Sequence, residues 1–138
     1  MTSANDFNRT IIEEFRSNGG QVSGNFSGFP LLLLTTIGAK SGQERTNPLA
    51  YHQDGDRLIV MAARAGSPTN PDWFHNLVAN PSVTVEVGTE TFEAQAEVPL
   101  DEERDRLFAQ HLQAYPSFAE YEKRTTRKMP MVALTRKS

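Results

Sequence analysis

The sequence contains no cysteine, and it has no apolar run of the roughly 18 residues that a membrane-spanning helix needs. Without cysteine there is no disulfide framework, no thiolate nucleophile and no thiolate metal site. The N-terminal residues lack the basic start and apolar stretch of a secretory signal. We therefore expect a cytoplasmic protein.

The formal net charge of -3 argues against general nucleic-acid binding. At 138 residues the length matches one domain, since domains commonly span about 100–200 residues. The charge is uneven, because residues 86–105 are rich in carboxylates whereas every charged residue from Lys123 onward is basic. Such a split usually reflects solvated surfaces, and a basic edge for an acidic ligand is the alternative.

Residues 1–20 are predicted to form an amphipathic helix, because Phe7, Ile11 and Phe15 recur at helical spacing before Gly19 and Gly20. The apolar side of this helix could pack on the domain, bind a partner or contact a membrane weakly. Packing on the domain is the preferred interpretation. Residues 21–138 are predicted to form a single domain.

The rest of the chain is predicted to be mainly β. Strands are expected over residues 31–37, 46–52, 58–63, 83–87, 92–98 and 131–134. Intervening helices are expected to start at Asn70, Asp101 and Ser117, where capping residues stand. About six strands joined by hairpins and short helices favour a small antiparallel barrel or sandwich of the α+β class over a parallel sheet.

The stretch "GAKSGQER" after the first strand is the first candidate site. It places Gly38 and Gly42 around Lys40 and Ser41, and Arg45 follows. Backbone amides beside glycines can form a concave anion site, to which two cations would add charge and hydrogen bonds. An ordinary charged hairpin end explains the pattern equally well.

A second loop, "AARAGSPTNPDW", shifts that balance towards anion binding. It also follows a strand, contains Arg64 and Gly66, and leads into the helix expected at Asn70. Helix N-termini favour anions because their amides are unpaired and their dipole end is positive. Two such loops flanking one hairpin could hold a ligand with an extended anionic arm.

Aromatic residues form a third cluster at Tyr115, Phe118 and Tyr121. Core packing is the simple explanation, and walls for a planar ligand are the alternative. The three histidines lie in three different predicted elements without a two-histidine metal spacing. We therefore predict no metal site, and the sequence gives little support for hydrolysis.

Three ordered stretches, "LLLLTTIGAKSGQERTNPLAY", "MAARAGSPTNPDWFHNLVANPSVTVEV" and "AYPSFAEY", resemble the deazaflavin-dependent nitroreductase family. The resemblance extends from about Leu31 to about Thr135. Members are small actinobacterial proteins with a split β-barrel, similar to flavin reductases and FMN-binding proteins, and they use the 8-hydroxy-5-deazaflavin coenzyme F-420. The resemblance implies an oxidoreductase that transfers a hydride from the reduced deazaflavin to a quinone, a nitroaromatic or a similar acceptor.

The resemblance also implies a site. The phosphate and glutamyl tail of the coenzyme would contact Lys40, Ser41, Gly42 and Arg45. The deazaflavin ring would be bordered by Pro48, Leu49, Ala62, Ala63, Arg64, Ala65, Gly66, Asn70 and Trp73. The substrate side would be covered by Tyr115, Phe118 and Tyr121, of which Tyr115 and Tyr121 are the candidate catalytic residues, as proton donors. Ala39 stands where relatives often carry arginine, so one tail contact is expected to be lost.

Two other functions remain open at this point. The same barrel type can bind FMN, which lacks the acidic tail, and a non-catalytic carrier could bind F-420 without turning it over. The resemblance weakens before Leu31, so residues 1–20 are a candidate lid or a peripheral contact at the inner face of the plasma membrane. The expected partner is a small-molecule acceptor, with no nucleic acid, and the oligomeric state is not predicted.

Overall fold

The computed structural model describes residues 4–20, 30–62, 70–116, 119 and 129–137, with the backbone alone for residues 4–8. In chain order the elements are α1 (Ala4–Ser17), β1 (Leu31–Ile37), β2 (Glu44–Ala50), β3 (His52–Asp54), β4 (Arg57–Met61), α2 (Asp72–Ala79), β5 (Ser82–Val87), β6 (Glu90–Glu97), α3 (Asp101–Ala114) and β7 (Met131–Arg136). The strand predicted over residues 46–52 is divided at Tyr51 into β2 and β3. The helix predicted to start at Ser117 lies outside the described residues.

The seven strands form one antiparallel sheet in the order β2-β1-β5-β6-β7-β4-β3. β2 and β3 occupy opposite ends of this order, although only Tyr51 separates them in the sequence. The two ends of the sheet must therefore meet, and the sheet curls into a barrel. We call the junction at Tyr51 and His52 the seam. The predicted antiparallel barrel with helices is confirmed.

Alternate residues of the strands fill the interior of the barrel. Leu32 and Leu34 of β1 meet residues of β4, β5, β6 and β7 in one buried cluster. α2 packs into the same cluster through Trp73 and Leu77. Each fully buried aliphatic side chain contributes about 1.5–3 kcal/mol, so this cluster is the main source of stability.

α1 covers the outer face of the first two strands. Ile11 and Phe15 are buried against Leu31 and Leu33, the β1 residues that alternate with the interior pair. The Arg16 guanidinium also donates to both carboxylate oxygens of Glu86 at 2.9 and 2.7 Å. These described side chains of α1 pack on the domain. The lid or membrane contact suggested for residues 1–20 stays a prediction, and it would have to use other side chains of the helix.

α3 covers the outer face on the opposite part of the sheet. Leu107 and Phe108 pack against Ile59 and Met61 of β4 and against β7. Of the described helices, α1 and α3 therefore lie on the outside of the sheet, and α2 packs against its interior. The end of α3 lies beside the seam, where Tyr115 and His111 contact Tyr51 and His52.

The start of α2 differs from the prediction. Asn70 was expected to cap the helix, but the N-cap is Pro71, and no side chain supplies a capping hydrogen bond. Proline disfavours helical geometry in the residue before it, and Pro71 itself is extended, with ψ at 156°. The helix therefore begins at Asp72, and Asn70 is not its cap.

Candidate functional site

Residues 38–43 join β1 to β2, and we call them the 38–43 loop. The Gly38 amide donates to the Gln43 carbonyl at 2.7 Å, and the Gly42 amide donates to the Gly38 carbonyl at 2.9 Å. Ser41 Oγ accepts from the Gln43 amide at 3.2 Å. Three of the six amides of the loop are thus used within the hairpin, and the Ala39 amide is bonded to Asn76 of α2. The predicted amide nest is reduced to the amides of Lys40 and Ser41, which have no acceptor among the described residues.

Asn76 of α2 holds this loop in place. Its Oδ1 accepts from the Ala39 amide at 3.0 Å, and its Nδ2 donates to Thr36 Oγ1 at 3.1 Å. Asn76 and Thr36 are both buried. The sequence analysis did not identify Asn76. The available signal was its position on the same side of α2 as the buried Trp73 and Leu77, where a polar residue needs a hydrogen-bond partner.

Lys40 and Arg45 are the exposed cations of this region. The Arg45 guanidinium makes one long hydrogen bond, 3.4 Å to the Glu44 carbonyl, and neither cation forms an ion pair within the described ranges. By contrast, Arg16, Arg57 and Arg106 all have carboxylate partners. The loop region therefore presents positive charge that no carboxylate of the described residues neutralises.

Three of the candidate ring contacts belong to the interior of the barrel or pack against it. Ala62 and Trp73 belong to the buried interior cluster, and the half-buried Leu49 packs against it. Pro48 pairs with Leu33 in β2, whose other edge has no strand partner among the described residues, as suits a proline. Asn70 is half-buried beside the start of α2. Residues 63–66, which supply the other predicted ring contacts, lie outside the described residues.

Tyr115 follows α3 and is buried at the seam. Its hydroxyl donates to the Tyr51 carbonyl, so α3 is tied to the residue that connects the two ends of the sheet. Burial raises the pKa of Tyr115 to about 12. Its proton is therefore engaged and difficult to release, which favours a structural over an acidic role. Phe118 and Tyr121 lie outside the described residues, and the catalytic roles stay predictions.

Two histidines that the sequence placed in separate elements meet at the seam. His52 Nδ1 lies 2.8 Å from His111 Nδ1, and His52 Nε2 lies 3.1 Å from Gln110 Oε1. Burial lowers the pKa of both histidines, that of His111 to about 3. Both imidazoles are therefore neutral near pH 7. The pair is 59 residues apart in sequence, so no local pattern could have revealed it.

Charged residues surround the outer side of this pair. Asp54 accepts hydrogen bonds from Arg57, Arg106 and Gln110. The hydrogen bonds from Arg106 and Arg57 hold the pKa of Asp54 well below its usual range. The network joins the β3–β4 turn to α3. In the described parts of the chain, no group of three or more histidines and carboxylates is arranged to hold a metal, and no helix is long and apolar enough to cross a bilayer.

Comparison with known proteins identifies the family. The model of the F420H(2)-dependent quinone reductase family matches residues 7–136. An F420H(2)-dependent quinone reductase of Mycobacterium tuberculosis is 38% identical over 127 residues, which cover 89% of this chain and 85% of that protein.

Solved structures agree in fold. The F420-H2 dependent reductase FDR-A superposes with a TM-score of 0.70 and 35% identity, covering 76% of this chain and 93% of that one. A structure described as a domain-swapped dimer gives a TM-score of 0.72 and 31% identity, covering 96% and 99%. The predicted split β-barrel, deazaflavin cofactor and oxidoreductase class are confirmed. The chain belongs to the F420H(2)-dependent quinone reductase family, and its cofactor is coenzyme F-420.

Proposed function

We propose that this protein transfers a hydride from reduced coenzyme F-420 to a quinone or a similarly electron-poor acceptor, with the acidic tail of the coenzyme held at the 38–43 loop. The observation that carries this proposal is the pair of exposed cations, Lys40 and Arg45, which have no ion-pair partner among the described residues. The phosphate and the glutamyl carboxylates of the coenzyme tail would supply negative charges to pair with these two cations.

Each residue of the loop region would contribute differently to tail binding. Arg45 presents a planar guanidinium, which can donate two parallel hydrogen bonds to a carboxylate or phosphate. Lys40 acts as a compact charge on a flexible side chain. Ser41 Oγ already accepts from Gln43, so its hydroxyl proton remains for donation to an anion. Asn76 binds the Ala39 amide and so would hold the backbone that carries Lys40 and Ser41 beside α2.

The ring would lie against the apolar residues beside the seam. The half-buried Leu49 packs against the interior cluster that contains Ala62 and Trp73, and an apolar lining of this kind would suit a planar heterocycle. When bound, the reduced coenzyme supplies the hydride, and the protein's task is to align donor and acceptor and to limit water. The acceptor also needs a proton, for which Tyr121 and solvent are better candidates than Tyr115, because the Tyr115 hydroxyl donates to the Tyr51 carbonyl.

Two measurements test the proposal. A titration with F-420 and FMN side by side should give much tighter binding of F-420, because FMN lacks the glutamyl tail. Equal affinity for the two would remove the basis for tail recognition. Stopped-flow mixing of the complex with menadione should then show oxidation of the reduced coenzyme at a rate well above the protein-free control. Tight binding without that acceleration would identify a carrier instead.

A further inference from the structure

We propose that His52 and His111 form a neutral, directional hydrogen-bonded pair whose function is to position the seam, and with it the ring-contacting end of β2, for hydride transfer. This inference rests on the proposed function. It assigns a role to two histidines that the cofactor's chemistry does not require and that the expected tail and ring contacts do not include.

The direction of the hydrogen bond follows from the neighbouring amide. Gln110 Nε2 donates to Asp54 Oδ1 at 3.4 Å, which leaves Gln110 Oε1 facing His52 Nε2 at 3.1 Å. An amide oxygen only accepts, so His52 Nε2 carries a proton. In a neutral ring His52 Nδ1 is then the acceptor. The 2.8 Å contact between the two Nδ1 atoms requires His111 Nδ1 to be the donor.

The charge environment is consistent with this neutral state. The pair is packed between β3 and α3, and burial is the main cause that lowers both pKa values. Of the charged groups nearby, Asp54 of β3 favours protonation of His52 and Arg106 of α3 opposes it. Arg57 of β4 and Gln110 of α3 bind the same Asp54 carboxylate. A proton added at His52 Nδ1 would place two N–H groups face to face, so the pair would have to separate.

The pair belongs to a larger set of contacts between α3 and the seam. The rings of His111 and Tyr115 meet edge to face with centroids 5.0 Å apart, and the Tyr115 amide donates to the His111 carbonyl at 2.9 Å. The Tyr115 hydroxyl donates to the Tyr51 carbonyl. Two consecutive residues of the seam are therefore held by the same helix end: His52 by His111 and Gln110, and Tyr51 by Tyr115.

This arrangement bears on the reaction because of where the seam lies. Tyr51 comes directly after β2, and Leu49 and Pro48 stand two and three positions before it. Fixing Tyr51 against α3 therefore fixes the expected ring contacts relative to Tyr115 on the substrate side. A misplacement of about 1 Å can reduce a rate about 100-fold even where binding persists. The pair would act by positioning, not by touching the reacting atoms.

The test compares two substitutions at one position. His111→Asn retains an N–H donor near the site of Nδ1, whereas His111→Leu fills the space without a donor. His75→Leu is the matched control, because His75 is an exposed histidine of α2. We expect His111→Leu to lower kcat with menadione at least tenfold while the Kd for F-420 changes less than threefold. His111→Asn should recover most of the rate, and His75→Leu should match the wild type.

Three outcomes would overturn the inference. These are a wild-type kcat in His111→Leu, equal losses in the Leu and Asn variants, and parallel losses of rate and F-420 binding. If His111→Leu does not fold, the test rests on the kcat of His111→Asn and on the tautomers of His52 and His111 in the wild type. Two-bond 1H–15N spectra of the wild type should show His52 protonated at Nε2 and His111 at Nδ1, and the opposite pattern contradicts the proposal. A wild type without F-420 turnover would instead contradict the proposed function itself.

Discussion

The 38–43 loop and the seam are two sites that the same barrel builds in opposite ways. In the loop, hydrogen bonds are mostly local, and the cations of Lys40 in the loop and Arg45 beside it in β2 are exposed and have no ion-pair partner among the described residues. At the seam, His52 and His111 are neutral, and all the important contacts join residues far apart in sequence. Removing the exposed cations should therefore act on binding alone. Changes in the buried parts should act on folding, and on geometry where folding survives.

The largest expected effect concerns Trp73, a predicted ring contact that is only 6% exposed within the interior cluster. Trp73→Ala should reduce the free energy of unfolding by about 3–5 kcal/mol, because it leaves a cavity in the core. Val78→Ala on the same helix, 59% exposed, should change it by less than about 0.5 kcal/mol. Urea denaturation of the three proteins measures both. A Trp73→Ala protein of wild-type stability that loses F-420 would place Trp73 with the binding site instead of the core.

The next effect isolates the charge of the loop region. Lys40→Ala and Arg45→Ala should each weaken F-420 binding by roughly 1.5–3 kcal/mol where the contact is shielded from water, which is about tenfold or more in Kd. Unfolding free energies should stay unchanged, and so should kcat at saturating coenzyme. Added salt should weaken wild-type binding, because exposed charges are screened over about 8–10 Å.

Arg136→Ala provides the control for this pair. Arg136 is an exposed cation of β7 that pairs with Glu90 at 3.0 Å, and it belongs to the basic C-terminal stretch. If its loss weakens F-420 binding as much as the loss of Lys40, the coenzyme tail is recognised by the basic edge and not by the loop.

The contrast between the two sites also explains what the sequence could predict. The loop was found because its signals are local: two glycines, two cations and a strand on each side. The barrel was found because alternation in residues 83–87 and 92–98 and the hairpin glycines are local too. The seam was not found, because it exists only once the sheet has curled to bring β2 and β3 together and α3 has packed beside them. Nothing near His52 or His111 in sequence indicates that their rings touch.

Two smaller differences have the same origin. The strand predicted over residues 46–52 is divided because the chain leaves one end of the sheet for the other at Tyr51, which is a property of the curled sheet as a whole. Asn76 was missed as a loop anchor because its partners, Thr36 and the Ala39 amide, belong to a hairpin some 40 residues earlier.

Acid should distinguish the seam from the loop. His111 has a pKa of about 3 in the folded state and an ordinary value of 6.5, so the unfolded chain binds more protons between these limits. Stability is therefore fully present above about pH 6.5 and falls as the pH decreases towards 3. From pH 7 to pH 5 the loss due to His111 should be about 2 kcal/mol, because the slope of about 1.36 kcal/mol for each pH unit applies over the roughly 1.5 units below pH 6.5. Thermal unfolding at the two pH values measures it.

The control for the acid effect is His111→Asn, which has no titrating ring and should lose less stability over the same interval. Asp54 does not interfere, because its pKa lies below its ordinary value of 3.8 and its stabilising contribution is lost only at lower pH. An equal loss of stability in the wild type and His111→Asn would show that another group causes the acid sensitivity. The 38–43 loop contains no histidine, so F-420 affinity should change less than stability does.

The smallest effect tests whether the shape of the loop matters in addition to its charge. Gly42 has φ at +71°, and an added Cβ would meet no atom within 4 Å, so Gly42→Ala introduces backbone strain without a clash. The expected loss in unfolding free energy is about 1–2 kcal/mol, with a smaller loss for Gly42→Asn, since asparagine tolerates this conformation better. Gly55 in the β3–β4 turn is the matched control, because its φ is +63° and its Cβ would also meet nothing within 4 Å. Gly55→Ala should cost similar stability and leave F-420 binding unchanged, whereas Gly42→Ala should also raise the Kd for F-420 a few-fold. If both variants bind F-420 like the wild type, then the cations alone hold the coenzyme tail and the loop conformation contributes nothing to its recognition.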